Sequence, residues 1–315
     1  MAEPTTAVTA PGPLAGPGAG RVPSRRRQGL PGPVRAIARY AGILPFTAYV
    51  VLGLIIPMIA VAVGAFQDPD TGAWTTKNVD IATHGVYLTG FRESVILSVL
   101  AAVLPAVFGL LIAYAIFTAK RAAFLRQMVI TASGVFANFG GIPLAFLFIT
   151  TLGSSGLETQ WLKDLGWDIY AGGFSLYSVT GILVVYMYFQ IPLMVLVILP
   201  ALEGLKPAWR EAAENLGARS WSYWRHVAGP VLLPSVLGSA LLLFGFGLSA
   251  YATAEALTNG TVPLTSIQIG SFLSGNVIAG QGNVGQALGL GMVMIIAVVM
   301  VFYILLQRRA AKWLR

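Results

Sequence analysis

Six apolar stretches dominate this sequence, at about residues 43–66, 93–117, 127–152, 174–201, 231–256 and 285–307. Each is close to the roughly 20 residues that an α-helix needs to cross the hydrocarbon core of a bilayer. Backbone N–H and C=O groups find no water there, so apolar crossing segments of this length must be helical. The pattern restricts the chain to an all-α membrane protein with six transmembrane helices. Charged residues make up only 10% of the sequence, against about 25% in soluble domains. Pro57, Pro105, Pro143 and Pro192 fall inside the stretches. They predict kinks whose freed carbonyls are covered by neighbouring spans.

The charges that remain set an orientation. Arg21, Arg25, Arg26, Arg27, Arg35 and Arg39 precede the first stretch, and Lys120, Arg121 and Arg126 lie between the second and third. Lys206, Arg210, Arg219 and Arg225 follow the fourth, and Arg308, Arg309, Lys312 and Arg315 follow the sixth. The alternate loops hold Asp68, Asp70, Asp80, Glu93, Glu158, Asp164 and Asp168, with only Lys77, Arg92 and Lys163 as cations. The excess of cations on one side predicts that both termini and the 203–230 loop are cytoplasmic. The net charge of +8 is thus an orientation signal, and no nucleic-acid partner is expected. Residues 1–40 are rich in Pro, Gly and Ala without hydrophobic periodicity, which predicts a disordered basic cytoplasmic tail beside membrane lipid. Residues 41–315 then form the transmembrane domain. The first apolar stretch is too long, and preceded by too much polar sequence, for a cleaved signal peptide.

Between the fourth and fifth stretches lies a polar segment with its own helical pattern. Pro207 suits a first helical turn, where its missing N–H costs nothing. Trp209, Ala212, Ala213 and Leu216 recur at i, i+3, i+4 and i+7 and form one face. Gly217 suits the left-handed residue that ends such a helix. Ser220 is placed to cap a second short helix that carries Trp221, Trp224 and Val227 and ends before Pro230. Two arrangements fit: a surface that docks a soluble partner, or an amphipathic loop packed beneath its own spans.

The segment resembles the EAA loop in permease subunits of ATP-binding-cassette importers that are fed by a substrate-binding protein. That motif reads Glu-Ala-Ala, three residues, Gly, nine residues, an apolar residue, one residue, then Leu-Pro. Glu211-Ala212-Ala213, Gly217, Val227 and Pro230 fall at these spacings, and Gly229 stands where Leu is usual. The resemblance implies a coupling helix seated on a separate ATPase, with Glu211, Ala212, Ala213, Gly217, Val227 and Pro230 as its transmission residues. It further implies a second permease subunit, homologous or identical, and an extracytoplasmic substrate-binding protein. The setting is a prokaryotic cell membrane. ATP and Mg would sit on the ATPase and no cofactor on this chain, which carries no G-x-x-x-x-G-K-[ST] loop. The resemblance implies no enzyme activity of the chain itself.

Within the spans, charge is nearly absent and small or polar residues carry the signal. Asn138-Phe139-Gly140-Gly141, just before Pro143, lies near the middle of the third stretch and predicts a local opening of the helix. Asn138 either faces a central cavity or bonds across a helix interface. Gln190 beside Pro192, and Glu255 near the outer end of the fifth stretch, complete the candidate solute path. Gly285, Gly289 and Gly291 predict close helix contact, as at a subunit interface. The layout looks closer to polyamine, iron and phosphonate permeases than to sugar permeases, so a small polar solute such as a polyamine is expected. A sugar permease of the same superfamily is the nearer alternative. An ion-gradient-driven transporter would call for buried ionisable relays and an inverted repeat, and neither is visible. His84 and His226 fall on opposite sides of the membrane, and Asp68, Asp70 and Asp80 lack the spacing of a calcium loop.

Overall fold

The computed structural model describes residues 43–119, 123–275 and 281–311, so the basic tail at 1–40 lies outside the described residues. The described residues contain no β-strand; a single bridge joins Gln67 and Trp74. Six helical stretches are long and apolar enough to cross a membrane: Leu44–Ala65, Gly85–Thr118, Gly141–Asp164, Val179–Glu203, Ser220–Ser249 and Val284–Arg309. The chain divides into two compact units between Ile55 and Ile56. In the first, α1 (Leu44–Val50) leads into a π-helical turn at Val51–Ile55, with Leu44, Phe46, Tyr49 and Leu52 exposed.

The second unit begins with α2 (Ile56–Ala65), followed by the short α3 (Lys77–Ala82) and the long α4 (Gly85–Thr118). The second span therefore starts eight residues before the apolar stretch does. Hydropathy marks where a helix crosses lipid, and this helix continues through Arg92 and Glu93 beyond that layer. The third predicted span is two helices, α5 (Ala123–Asn138) and α6 (Gly141–Leu152), and the polar α7 (Leu157–Asp164) follows after a turn. The fourth is α8 (Val179–Glu203), capped by Ser178, whose hydroxyl accepts from Gly181 N–H at 3.3 Å.

Next come α9 (Pro207–Asn215), α10 (Ser220–Tyr223), a π-helical turn at Trp224–Ala228 and α11 (Gly229–Ser249). The fifth span ends at Ser249, seven residues short of the expected boundary. Two further short helices, α12 (Ala252–Thr258) and α13 (Thr265–Leu273), precede the last span, α14 (Val284–Ala311). Both π-turns lie just before a proline, Pro57 or Pro230. A proline ring clashes with the carbonyl four residues back and donates no N–H, so a widened turn is the expected relief.

α4, α8 and α11 pack on one another, α5 lies along α8, α12 lies on α6, and α14 covers α2 and α11. Small residues set the spacing. A Cβ added at Gly109 of α4 would stand 2.5 Å from Met194 Cβ of α8, and one at Gly247 of α11 would stand 3.2 Å from Ser98 Cα of α4. One core layer, around Ile198, Leu202, Leu205, Tyr223 and Leu232, sits at the end that carries α9. A second, around Leu144, Tyr186, Leu257 and Ile267, sits at the opposite end. The outer faces expose Val103, Val107 and Leu111 of α4 and Val298, Val301 and Phe302 of α14. A continuous apolar exterior of this kind suits lipid rather than water.

Candidate coupling loop and solute path

The loop forms as its local chemistry directs. Pro207 opens α9 after the extended Lys206, whose ammonium sits 5.9 Å from the Trp209 ring centroid. At the other end Gly217 adopts φ +77°. Ala218 N–H then reaches Ala213 O at 2.9 Å and Gly217 N–H reaches Glu214 O at 2.9 Å, the paired bonds of a Schellman cap. On the polar side Arg210 Nε donates to Glu214 Oε1 at 2.9 Å, one turn away.

The apolar face of α9 is left uncovered. No residue of the helix is buried, only Ala213 is half-buried, and Leu216 is 88% exposed. Trp221, at the start of α10, is 75% exposed. Burial against its own spans is therefore not what holds this face. A cleft of about 400 Å³ runs between α9 and the end of α4, lined by Tyr114, Phe117, Arg210, Glu214 and Trp224 among others.

The second half of the loop differs from the sequence reading. Arg219, not Ser220, is the residue before α10, and it makes no side-chain cap. The helix also does not stop before Pro230; it runs through the π-turn into α11, with Val227 and Ala228 packed in the core. The reason lies at Gly229, whose N–H donates to Trp224 O five residues back. A Cβ at this position would stand 2.6 Å from that oxygen. The departure from Leu-Pro thus fits the widened turn that accommodates Pro230.

The solute-path candidates divide into two groups. Asn138, Gly140 and Gly141 line a cavity of about 270 Å³ together with Phe246, Ser249, Tyr251 and Thr253. Gly141 opens α6 with φ +73°, a conformation glycine adopts without strain. Its N–H, orphaned by the break, donates to Thr253 Oγ1 at 2.9 Å. Across the cavity α11 ends at Ser249, and Ala250 is extended. The Ala250 carbonyl accepts from Tyr186 Oη of α8 at 2.8 Å. Two spans therefore break opposite one another, and the third span's opening faces the fifth span's.

Asn138 neither crosses a helix interface nor points at a charge. Its Nδ2 donates to Gly134 O of its own helix at 2.8 Å, and the residue is exposed. Phe139 lies outside the cavity lining and packs on Tyr188, 6.4 Å between ring centroids, beside Phe136 at 5.4 Å and Phe148 at 5.7 Å. Gln190 is fully buried between α8 and α11, where Nε2 donates to Leu243 O at 3.3 Å and Oε1 has no partner. It does not line the cavity. Glu255 belongs to α12 rather than to the fifth span, and its Oε2 is buried without a partner. Gly285 and Gly291 meet Phe272 and Phe91 of the same chain, where added Cβ atoms would stand 2.9 and 2.5 Å away. Those glycines thus serve contacts within the chain.

Residues 107–315 match the family described as the binding-protein-dependent transport system inner membrane component. This chain belongs to that family. A thiamine transport system permease protein of Salmonella typhimurium is 29% identical over 226 residues, 68% of this chain and 39% of that protein. A sulfate transport system permease protein of Escherichia coli is 27% identical over 206 residues, 64% of this chain and 69% of that protein. A ferric transport system permease protein of Actinobacillus pleuropneumoniae is 25% identical over 261 residues, covering 80% of this chain but 35% of that one. The permease thus spans well under half the length of the thiamine and ferric relatives. A bacterial ABC transporter that imports the acidic polysaccharide alginate shares the fold, with a TM-score of 0.67 at 19% identity over 88% of this chain and 98% of that one.

The chain is therefore a multi-pass inner membrane component of a binding-protein-dependent transport system, and the loop with the EAA spacing lies inside the matched region. Three residues of the paired breaks, Tyr186, Tyr251 and Thr253, escaped the sequence reading. Their one visible signal is a hydroxyl within an otherwise apolar run. That signal is common, and it acquires meaning only when the partner backbone is known.

Proposed function

We propose that this permease forms one half of the membrane pathway of an ATP-driven importer and that α9 is the helix on which a separate ATPase docks. The observation that carries this reading is the uncovered face of α9, ended by the cap at Gly217 and located at the spacing of the EAA motif. The end bearing α9 is cytoplasmic, as the distribution of Lys and Arg favours. ATP and Mg act on the ATPase, and this chain supplies the moving part. Glu211, Ala212, Ala213 and Gly217 meet the ATPase, while Val227 and Pro230 join the loop to α11.

A second permease subunit faces the side of α5 and α11 where Asn138, Leu242, Phe246 and Ser249 are exposed, and it closes the cavity between the breaks into a path. A substrate-binding protein delivers the solute from the other side of the membrane. Alternating access is then a switch between two discrete packings of these helices. The solute is small and polar, in keeping with the thiamine, sulfate and ferric ions named for the relatives. No feature of the cavity favours a polyamine over these.

Orientation is tested by labelling single cysteines in intact cells, which is clean because the chain has none of its own. Positions 77 and 163 should react from outside and position 219 only from inside. External reaction at 219 would put the docking loop on the wrong side of the membrane. Substrate class is tested by screening thiamine, sulfate, ferric and polyamine solutes, each with its binding protein, for stimulation of ATP hydrolysis in the assembled complex.

A further inference from the structure

Thr253, in the short helix α12 that follows the fifth span, bonds to the start of α6, the second helix of the third. It is 4% exposed and sits in the first turn of α12. Its hydroxyl accepts from Gly141 N–H at 2.9 Å and donates back to Gly141 O at 3.4 Å, linking residues 112 positions apart. Gly141 is the first residue of α6, so the hydroxyl grips the beginning of one outer half-helix from the beginning of the other. α6 and α12 also pack closely along their lengths. Both also share a core with α4 and α8, where Leu144, Ala254 and Leu257 cluster with Leu97 and Tyr186. α5 lies along α8, and α11 is packed between α4 and α8. Phe139–Gly140 and Ala250–Tyr251 lie outside the helices, although Ala250 N–H still donates to Phe246 O at 3.0 Å and Tyr251 O accepts from Glu255 N–H at 2.9 Å.

We infer that Thr253 is a positioning residue that locks α6 and α12 into one body, so that both outer half-helices shift together when the path opens. A threonine is suited to the task. A buried backbone N–H left unpaired at a helix start is costly, and only a side chain that both accepts and donates can serve the N–H and C=O of the same residue. The inference rests on the reading of the cavity as the solute path.

The test uses the full chain with its ATPase in membranes, carrying a single cysteine at position 138, 142 or 252. The rate of modification by a small charged methanethiosulfonate is measured with and without ATP. With Thr253 present, positions 142 and 252 should change reactivity in step on addition of ATP. Thr253→Val removes the hydroxyl at nearly constant shape and should uncouple the two changes, altering their ratio several-fold. Thr253→Ser keeps the hydroxyl and should restore the parallel response. Where the valine variant fails to insert, Thr253→Ala provides the same loss with less demand on packing. A parallel response that persists in both Thr253→Val and Thr253→Ala overturns the lock. A cysteine at 138 that is unreactive with Thr253 in place instead overturns the cavity reading, which separates the two failures.

Discussion

The loop that carries α9 and the cavity between the helix breaks are built in opposite ways. The hydrogen bonds that shape α9 span a few residues: Pro207 opens it, and bonds of three and five residues' separation around Gly217 close it. The cavity is made by groups far apart in the chain, with Gly141 held by Thr253 and Ala250 held by Tyr186, 64 residues away. The loop is thus a local structure with an exposed apolar face, while the cavity is a tertiary structure with modest polar lining. A substitution in the first should act through backbone conformation and leave the spans alone. One in the second should act on what passes through.

The largest effect is expected at Gly217. A Cβ there meets nothing within 4 Å, so Gly217→Val acts through its φ of +77° alone. A β-branched residue in that region is strained by roughly 1–2 kcal/mol or more. Membrane insertion should persist while ATPase association and uptake fall at least tenfold, read by co-purification and solute flux. Uptake at the unsubstituted rate would remove α9 from the coupling pathway.

Asn138→Leu should come next. Its amide bonds only within α5, so deleting it strands no group on another helix. ATPase association should be unchanged and stability should shift by less than about 1 kcal/mol, whereas uptake should fall several-fold. Normal uptake would mean that the solute does not pass between the breaks.

How much of each region the sequence discloses follows from the same contrast. The αL residue at 217, the N1 proline and the face of Trp209, Ala212, Ala213 and Leu216 are visible because backbone rules act over one or two turns. The opening at Gly140-Gly141 is visible for that reason too. The matching break at Ala250 is not, since Leu-Ser-Ala-Tyr-Ala contains neither glycine nor proline. It is held from another element by Tyr186 of α8, whose hydroxyl donates to Ala250 O at 2.8 Å, so hydropathy carries the fifth span on to residue 256 and places Glu255 within it. The π-turn before Pro230 is hidden for the same reason. A proline inside an apolar run signals a disturbance, but which ladder widens depends on packing around Trp224 and Gly229.

The smallest effect is expected at Gln190, which shares neither region. Its bond to Leu243 O is long, and its own carbonyl is unpaired. Interhelical hydrogen bonds in membranes average about 0.6 kcal/mol, so Gln190→Leu should change stability by less than about 1 kcal/mol and leave uptake nearly normal. A strong loss of uptake would move the path towards α8.

We propose that the loop and the cavity are two ends of one moving device. This is tested most directly by a cysteine at position 138 in the assembled transporter, with its reaction rate towards a small thiol reagent measured before and after ATP is added. ATP should change the rate several-fold when Gly217 is present, and Gly217→Val should abolish the change while the rate without ATP stays the same. A rate indifferent to ATP in the unsubstituted loop, from a cysteine that does react, would contradict it.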